Sequence, residues 1–73
     1  MQTLVFNTTT KTVVVYEGAK HDSKIILTFL DVPTVKVLET HYEVMVKVFL
    51  DGADTRVPVG RFPISNTNML IES

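Results

Sequence analysis

The sequence predicts an all-β protein, a small antiparallel barrel or two-layer sandwich of five to six short strands. Three observations point there. Val, Ile and Thr fill more than a third of the 73 positions, whereas alanine occurs only at Ala19 and Ala53; branched side chains fit a pleated surface and lose rotamer freedom in a helix. Apolar residues recur at every second position through residues 35–50, which is the strand period and not the helical one. Clusters of Gly, Pro, Asn and Asp cut the chain into short pieces, as turns between strands require.

The first strand covers residues 2–6, with Leu4 and Phe6 on one face. Asn7, Thr8 and Thr9 form a turn whose side-chain oxygens can accept from nearby backbone amides. Residues 10–17 return, alternating Thr12, Val14 and Tyr16 with Lys11, Val13 and Val15, so the two pieces make a hairpin. Residues 18–23, GAKHDS, are a polar connection. Residues 24–30 are apolar on both faces, with Ile25, Leu27 and Phe29 opposing Ile26 and Leu30, the pattern of a central strand covered on both sides.

Asp31, Val32, Pro33 and Thr34 interrupt the run, because proline cannot donate to a ladder and restricts the residue before it. Residues 35–50 then keep period two for 16 residues, well beyond the usual strand of about 5–6, so a bend or bulge at Glu39 and Thr40 divides them. Asp51, Gly52, Ala53 and Asp54 form the clearest turn, since Asp-Gly readily adopts the positive φ of a tight hairpin. Residues 55–64 form the next strand, which Pro58 and Pro63 confine to a sheet edge or break into pieces. Residues 65–68 are a last polar turn, and Met69, Leu70 and Ile71 a short closing strand or packed tail.

A chain of this length makes one domain, residues 1–73. It buries only about 60% of the surface its unfolded form exposes, and small domains usually add disulfides, a metal or self-association. With no cysteine in the chain, disulfides are excluded and a structural zinc is disfavoured; self-association is the remaining device. The net charge is -1, with seven basic and eight acidic residues interspersed, so no basic field for phosphate backbones is visible along the chain. The N-terminus lacks the pattern of a signal peptide. The longest apolar run falls far short of the roughly 20 residues of a membrane helix. A cytoplasmic protein without a membrane partner is the expectation.

Catalytic constellations are not found. Nucleophilic catalysis needs a nucleophile, a base and a group that orients it; the serines are only Ser23, Ser65 and Ser73, and the adjacent His21, Asp22 and Ser23 read as a solvated loop. Glu39, His41 and Glu43 share one face of an unbroken strand, but span more than a compact metal shell, so a polar outer face is the expected reading. Asp51 and Asp54 lack the calcium-loop spacing, and Gly18, Gly52 and Gly60 lie too far apart for a phosphate loop. Neither an enzyme nor a cofactor is expected.

Residues 41–50 carry the most informative pattern. Tyr42, Val44, Val46, Val48 and Leu50 make a core face, which leaves His41, Glu43, Met45, Lys47 and Phe49 on the other side. Met45 and Phe49 among charges mark an interaction surface, with His41, Glu43 and Lys47 as its polar rim. The expected function is therefore a non-enzymatic, self-associating protein-interaction module, suited to a small accessory or inhibitory protein of a phage or plasmid that binds a host protein. The alternative is an SH3-like or OB-like barrel that binds nucleic acid through Phe49 with Lys47, Phe62 with Arg61, and Tyr16 with Lys11.

Overall fold

The fold is set by where the alternating apolar faces find partners. In the computed structural model, which describes residues 1–19 and 23–73, seven strands form among the described residues. They are β1 (Gln2–Asn7), β2 (Thr12–Glu17), β3 (Ile25–Phe29), β4 (Thr34–Val37), β5 (His41–Leu50), β6 (Ala53–Pro63) and β7 (Thr67–Glu72), with a 3-10 turn over Ile64–Asn66. One sheet has the order β3-β2-β1-β7 and the other β4-β5-β6. The two stack as an open sandwich, not a closed barrel.

The core lies between the sheets. Leu4, Val13 and Val15 face inward from the first sheet and meet Val44 and Phe62 from the second, with Phe6, Phe29, Val35 and Met69 packed around them. The buried pair Val13 and Val15 is the face that the sequence pattern left unassigned on the second strand. Phe29 lies over β6, where its ring meets Phe62 and passes close to Gly60.

Several expectations change. The closing segment is a full six-residue strand, pairing parallel to β1 from Gln2 opposite Thr67 to Asn7 opposite Glu72, so there are seven strands and one pair departs from the antiparallel scheme. Residues 24–30 do not make a central strand: β3 sits at the edge of its sheet, and Ile25, Ile26 and Leu27 are exposed. Among the described residues β3 pairs with β2 alone, and of its side chains only Phe29, half-buried, packs against the core. The bend at Glu39 and Thr40 is a complete reversal, closed by the Leu38 amide donating to the His41 carbonyl at 2.8 Å, so β4 and β5 pair antiparallel.

Pro58 does not end β6. It lies on an edge strand opposite Met45, and the next pair, Gly60 with Val44, leaves Val59 without an opposite residue. Such a bulge on an edge tolerates a residue without an N–H. The β1–β2 turn forms as expected from Asn7, whose Oδ1 accepts from the amides of Thr9 and Thr10, both at 2.9 Å. The reading of His21 and Asp22 as a solvated loop falls on residues 20–22, outside the described residues.

Candidate functional site

Strand alternation along β5 is unbroken, because the bulge lies on β6. His41, Glu43, Met45, Lys47 and Phe49 therefore share the outer face of the second sheet, while Val44 and Val46 are buried on the inner one. Register brings the neighbours. On β6, Pro63, Arg61, Pro58, Arg56 and Asp54 stand opposite the five β5 residues in that order, and on β4 Lys36 and Thr34 stand opposite Glu43 and Met45.

Charges on this face are partly paired. The Arg61 Nε lies 3.6 Å from Glu43 Oε2, and Lys47 Nζ lies 3.1 Å from Asp54 Oδ2. An Arg56 guanidinium N–H donates to the Val32 carbonyl, and Thr40 Oγ1 lies 2.7 Å from His41 Nδ1. Lys36, Lys47, Arg56 and Arg61 put four of the seven basic residues of the chain on one face. This clustering depends on register between three strands, so it was not legible along the sequence, where the signs alternate.

Beyond Lys47 the site changes character. Pairing of β4 with β5 stops at Thr34 and Met45, and the last hydrogen bond from that side runs from the Lys47 amide to the Asp31 carbonyl at 3.0 Å. Val48, Phe49 and Leu50 are then paired only with Thr55, Asp54 and Ala53. The connecting residues Asp51 and Gly52 have φ of 50° and 81°, the two positive values of a type I′ hairpin turn, whose twist matches that of the strands. Ala53 and Asp54 belong to β6 and not to the turn.

At this tip Phe49 is 71% exposed and Leu50 53% exposed. They lie on opposite faces of the ribbon, because successive side chains alternate. Leu50 had been expected in the core with Val44 and Val46. It leaves the core because the ribbon extends past the strand that supports it, something period alone cannot report.

The remaining expectations distribute over the molecule. Phe62 is buried and cannot serve as a stacking platform beside Arg61. Tyr16 pairs with Thr3 and Ile25 in the first sheet, and Lys11 lies in the β1–β2 turn, so these do not join Phe49. Glu39 sits in the turn before β5 and not on its face; among the described residues no group of three His, Asp or Glu is placed to hold a metal ion. No pocket opens among the described residues, and none of their helices is long and apolar enough to cross a membrane. Compared with known proteins, the chain matches no family model, no curated protein and no solved structure.

Proposed function

We propose that the protein is a non-enzymatic interaction module that self-associates and binds another protein through the tip and outer face of the β5–β6 hairpin. The observation that carries this is Phe49, a large aromatic side chain 71% exposed yet held at a paired strand position. Ring exposure on ordered backbone means little conformational entropy is lost when the ring enters a pocket, and aromatic residues anchor binding hot spots. Leu50 widens the apolar tip, and Met45 with Pro58 continues it along the face. Lys36, Lys47, Arg56 and Arg61 favour a partner with an acidic rim around an apolar pocket. Occupying such a surface, in the cytosol, is how a small accessory or inhibitory protein would act.

Capture from a host lysate with the intact protein, with Phe49→Asp and with Met45→Asp/Phe49→Asp tests the reading. The expected result is a partner retained by the intact chain and lost by both variants, whose melting temperatures stay close to that of the parent. A partner held equally by all three would sink it.

Four basic residues on the face that carries Phe49, with Lys47 and Arg56 one strand repeat from it and Lys36 and Arg61 farther along beside Glu43, favour a second reading, binding of single-stranded nucleic acid by stacking and phosphate contact. A gel-shift series at low salt decides it. Salt-sensitive shifts weakened by Lys36→Glu and Arg61→Glu would favour this reading over the first.

A further inference from the structure

We infer that β3 is the seam through which two copies of this chain associate, forming one continuous sheet across the dimer. The inference rests on the reading that the chain self-associates and assigns that role to a surface away from the β5–β6 tip. β3 is an outer strand, so among the described residues the side of its backbone turned away from β2 has no strand partner. Such an edge is a ready template for another strand unless charge, proline, a strong bulge or a cover blunts it.

The four edges of the two sheets are treated differently. β6 carries Pro58, Pro63, Arg56 and Arg61, and β4 is four residues long with Lys36 in its middle and Pro33 just before it. β3 has neither proline nor charge: IILTF lies between Lys24 and Asp31, and it carries a bulge at Ile26, which has no opposite residue on β2. Its apolar side chains are also open, with Ile25 at 54%, Ile26 at 48% and Leu27 at 47% exposure, and Leu30, just past the strand, at 58%.

A second copy fits this edge by symmetry and charge. Antiparallel pairing of β3 with itself about an axis at Leu27 sets Ile25 of each copy opposite Phe29 of the other, and no charged residue meets its like. The basic residue precedes the strand and the acidic one follows it, so the same arrangement brings Lys24 of each copy to the Leu30 and Asp31 end of its mate. A domain whose buried apolar core consists of Leu4, Val5, Val13, Val15, Val44, Val46 and Phe62, and which has no cysteine, also has reason to recruit further burial. β7, the other edge of this sheet, exposes Leu70 and Ile71, but β3 pairing on β7 would be head to tail and would not close.

Two measurements on the full chain test the seam. Light scattering across a concentration series should give a dimer for the intact protein and for Phe49→Asp, and a folded monomer for Ile26→Lys, whose dimer dissociation constant should rise by at least about tenfold. Because the chain has no cysteine, Leu27→Cys introduces a unique thiol. Under mild oxidation it should form a linked dimer faster than Lys36→Cys or Phe49→Cys does. A strict monomer, an open-ended assembly, loss of the dimer in Phe49→Asp, or cross-linking no faster at Leu27 than at the other two positions would each overturn the inference. Loss of dimer in Ile26→Lys with partner binding intact separates its outcome from that of the tip.

Discussion

The ring of Phe29, on β3, meets the ring of Phe62, on β6, edge to face, with centroids 6.4 Å apart and planes 75° from parallel. This contact ties the outer strand of one sheet to the outer strand of the other. It depends on Gly60, because a Cβ there would fall 3.1 Å from the Phe29 Cζ and 3.2 Å from the Phe62 Cε2. Gly60 has no positive φ to explain it, so its role is to leave room. Gly60→Ala should therefore destabilise by about 1–3 kcal/mol, the usual range for overpacking a fitted core. Denaturant unfolding of Gly60→Ala, Phe29→Leu and the double variant checks this, with the double variant expected to lose less than the two singles added together. Strict additivity would show that Gly60 does not act through the ring.

Backbone strain sits where β3 hands over to β4. Asp31 and Val32 have φ of 65° and 53°, and for a β-branched residue such a value is an outlier. The left-handed conformation costs roughly 1–2 kcal/mol in a residue with a Cβ, and glycine returns roughly 0.5–1 kcal/mol of that through its freer unfolded state. The neighbouring hydrogen bonds, Lys47 to the Asp31 carbonyl and Arg56 to the Val32 carbonyl, use backbone acceptors that a glycine keeps. Val32→Gly should thus raise the melting temperature, by up to about 1 kcal/mol of stability, while Asp31→Gly should gain less because Asp tolerates this region better. Thermal unfolding of both variants checks the order; a less stable Val32→Gly would show that the side chain packs usefully.

Thr3 is fully buried on the side of β1 away from the main core, and its hydroxyl donates to the Gly18 carbonyl at 2.9 Å. Gly18 in turn donates its amide to the Met1 carbonyl, and the Asn68 amide nitrogen donates to Ala19, so the end of β2 is bound to both β1 and β7. Thr3→Val keeps the shape and removes the donor. It should cost about 1–2 kcal/mol, the loss expected when a partly buried acceptor is left without its partner, and Thr3→Ser should cost less. Chemical denaturation of the two variants distinguishes a hydrogen-bonding role from a packing one.

How far the sequence carried depended on whether a property is local. Apolar patterning and the turn residues between the runs located the strands as far as β6, though β7 read only as a short strand or packed tail, and Asp51 with Gly52 located the hairpin turn, because side-chain direction and positive φ are decided within a few residues. The outer-face set His41, Glu43, Met45, Lys47 and Phe49 was legible for the same reason. Which strand lies at an edge was not: Ile25, Ile26 and Leu27 read as doubly covered, since burial depends on neighbours that the run itself does not encode. Leu50 continued the periodicity of Val44 and Val46 into a ribbon that outruns its support. The basic face of Lys36, Lys47, Arg56 and Arg61 emerged only from cross-strand register, as did the parallel docking of β7 on β1.

The turn at Gly52 separates local from global stability. Its φ is 81° and nothing lies within 4 Å of the position a Cβ would take, so Gly52→Ala meets no steric obstacle and its cost is conformational, about 1–2 kcal/mol. That cost should fall mainly on the tip, because residues 48–50 are held by β6 alone and two-stranded ribbons are marginal by themselves. Amide hydrogen exchange should accelerate across residues 48–55 in Gly52→Ala while the amides of Leu4, Val13 and Val15 keep their protection, since weakly supported segments open below the global unfolding energy. If Phe49 anchors a partner because the turn holds it in place, the same variant should bind that partner more weakly with an unchanged outer-face sequence. Uniform acceleration at all sites would instead show that the hairpin and the sandwich unfold as one unit.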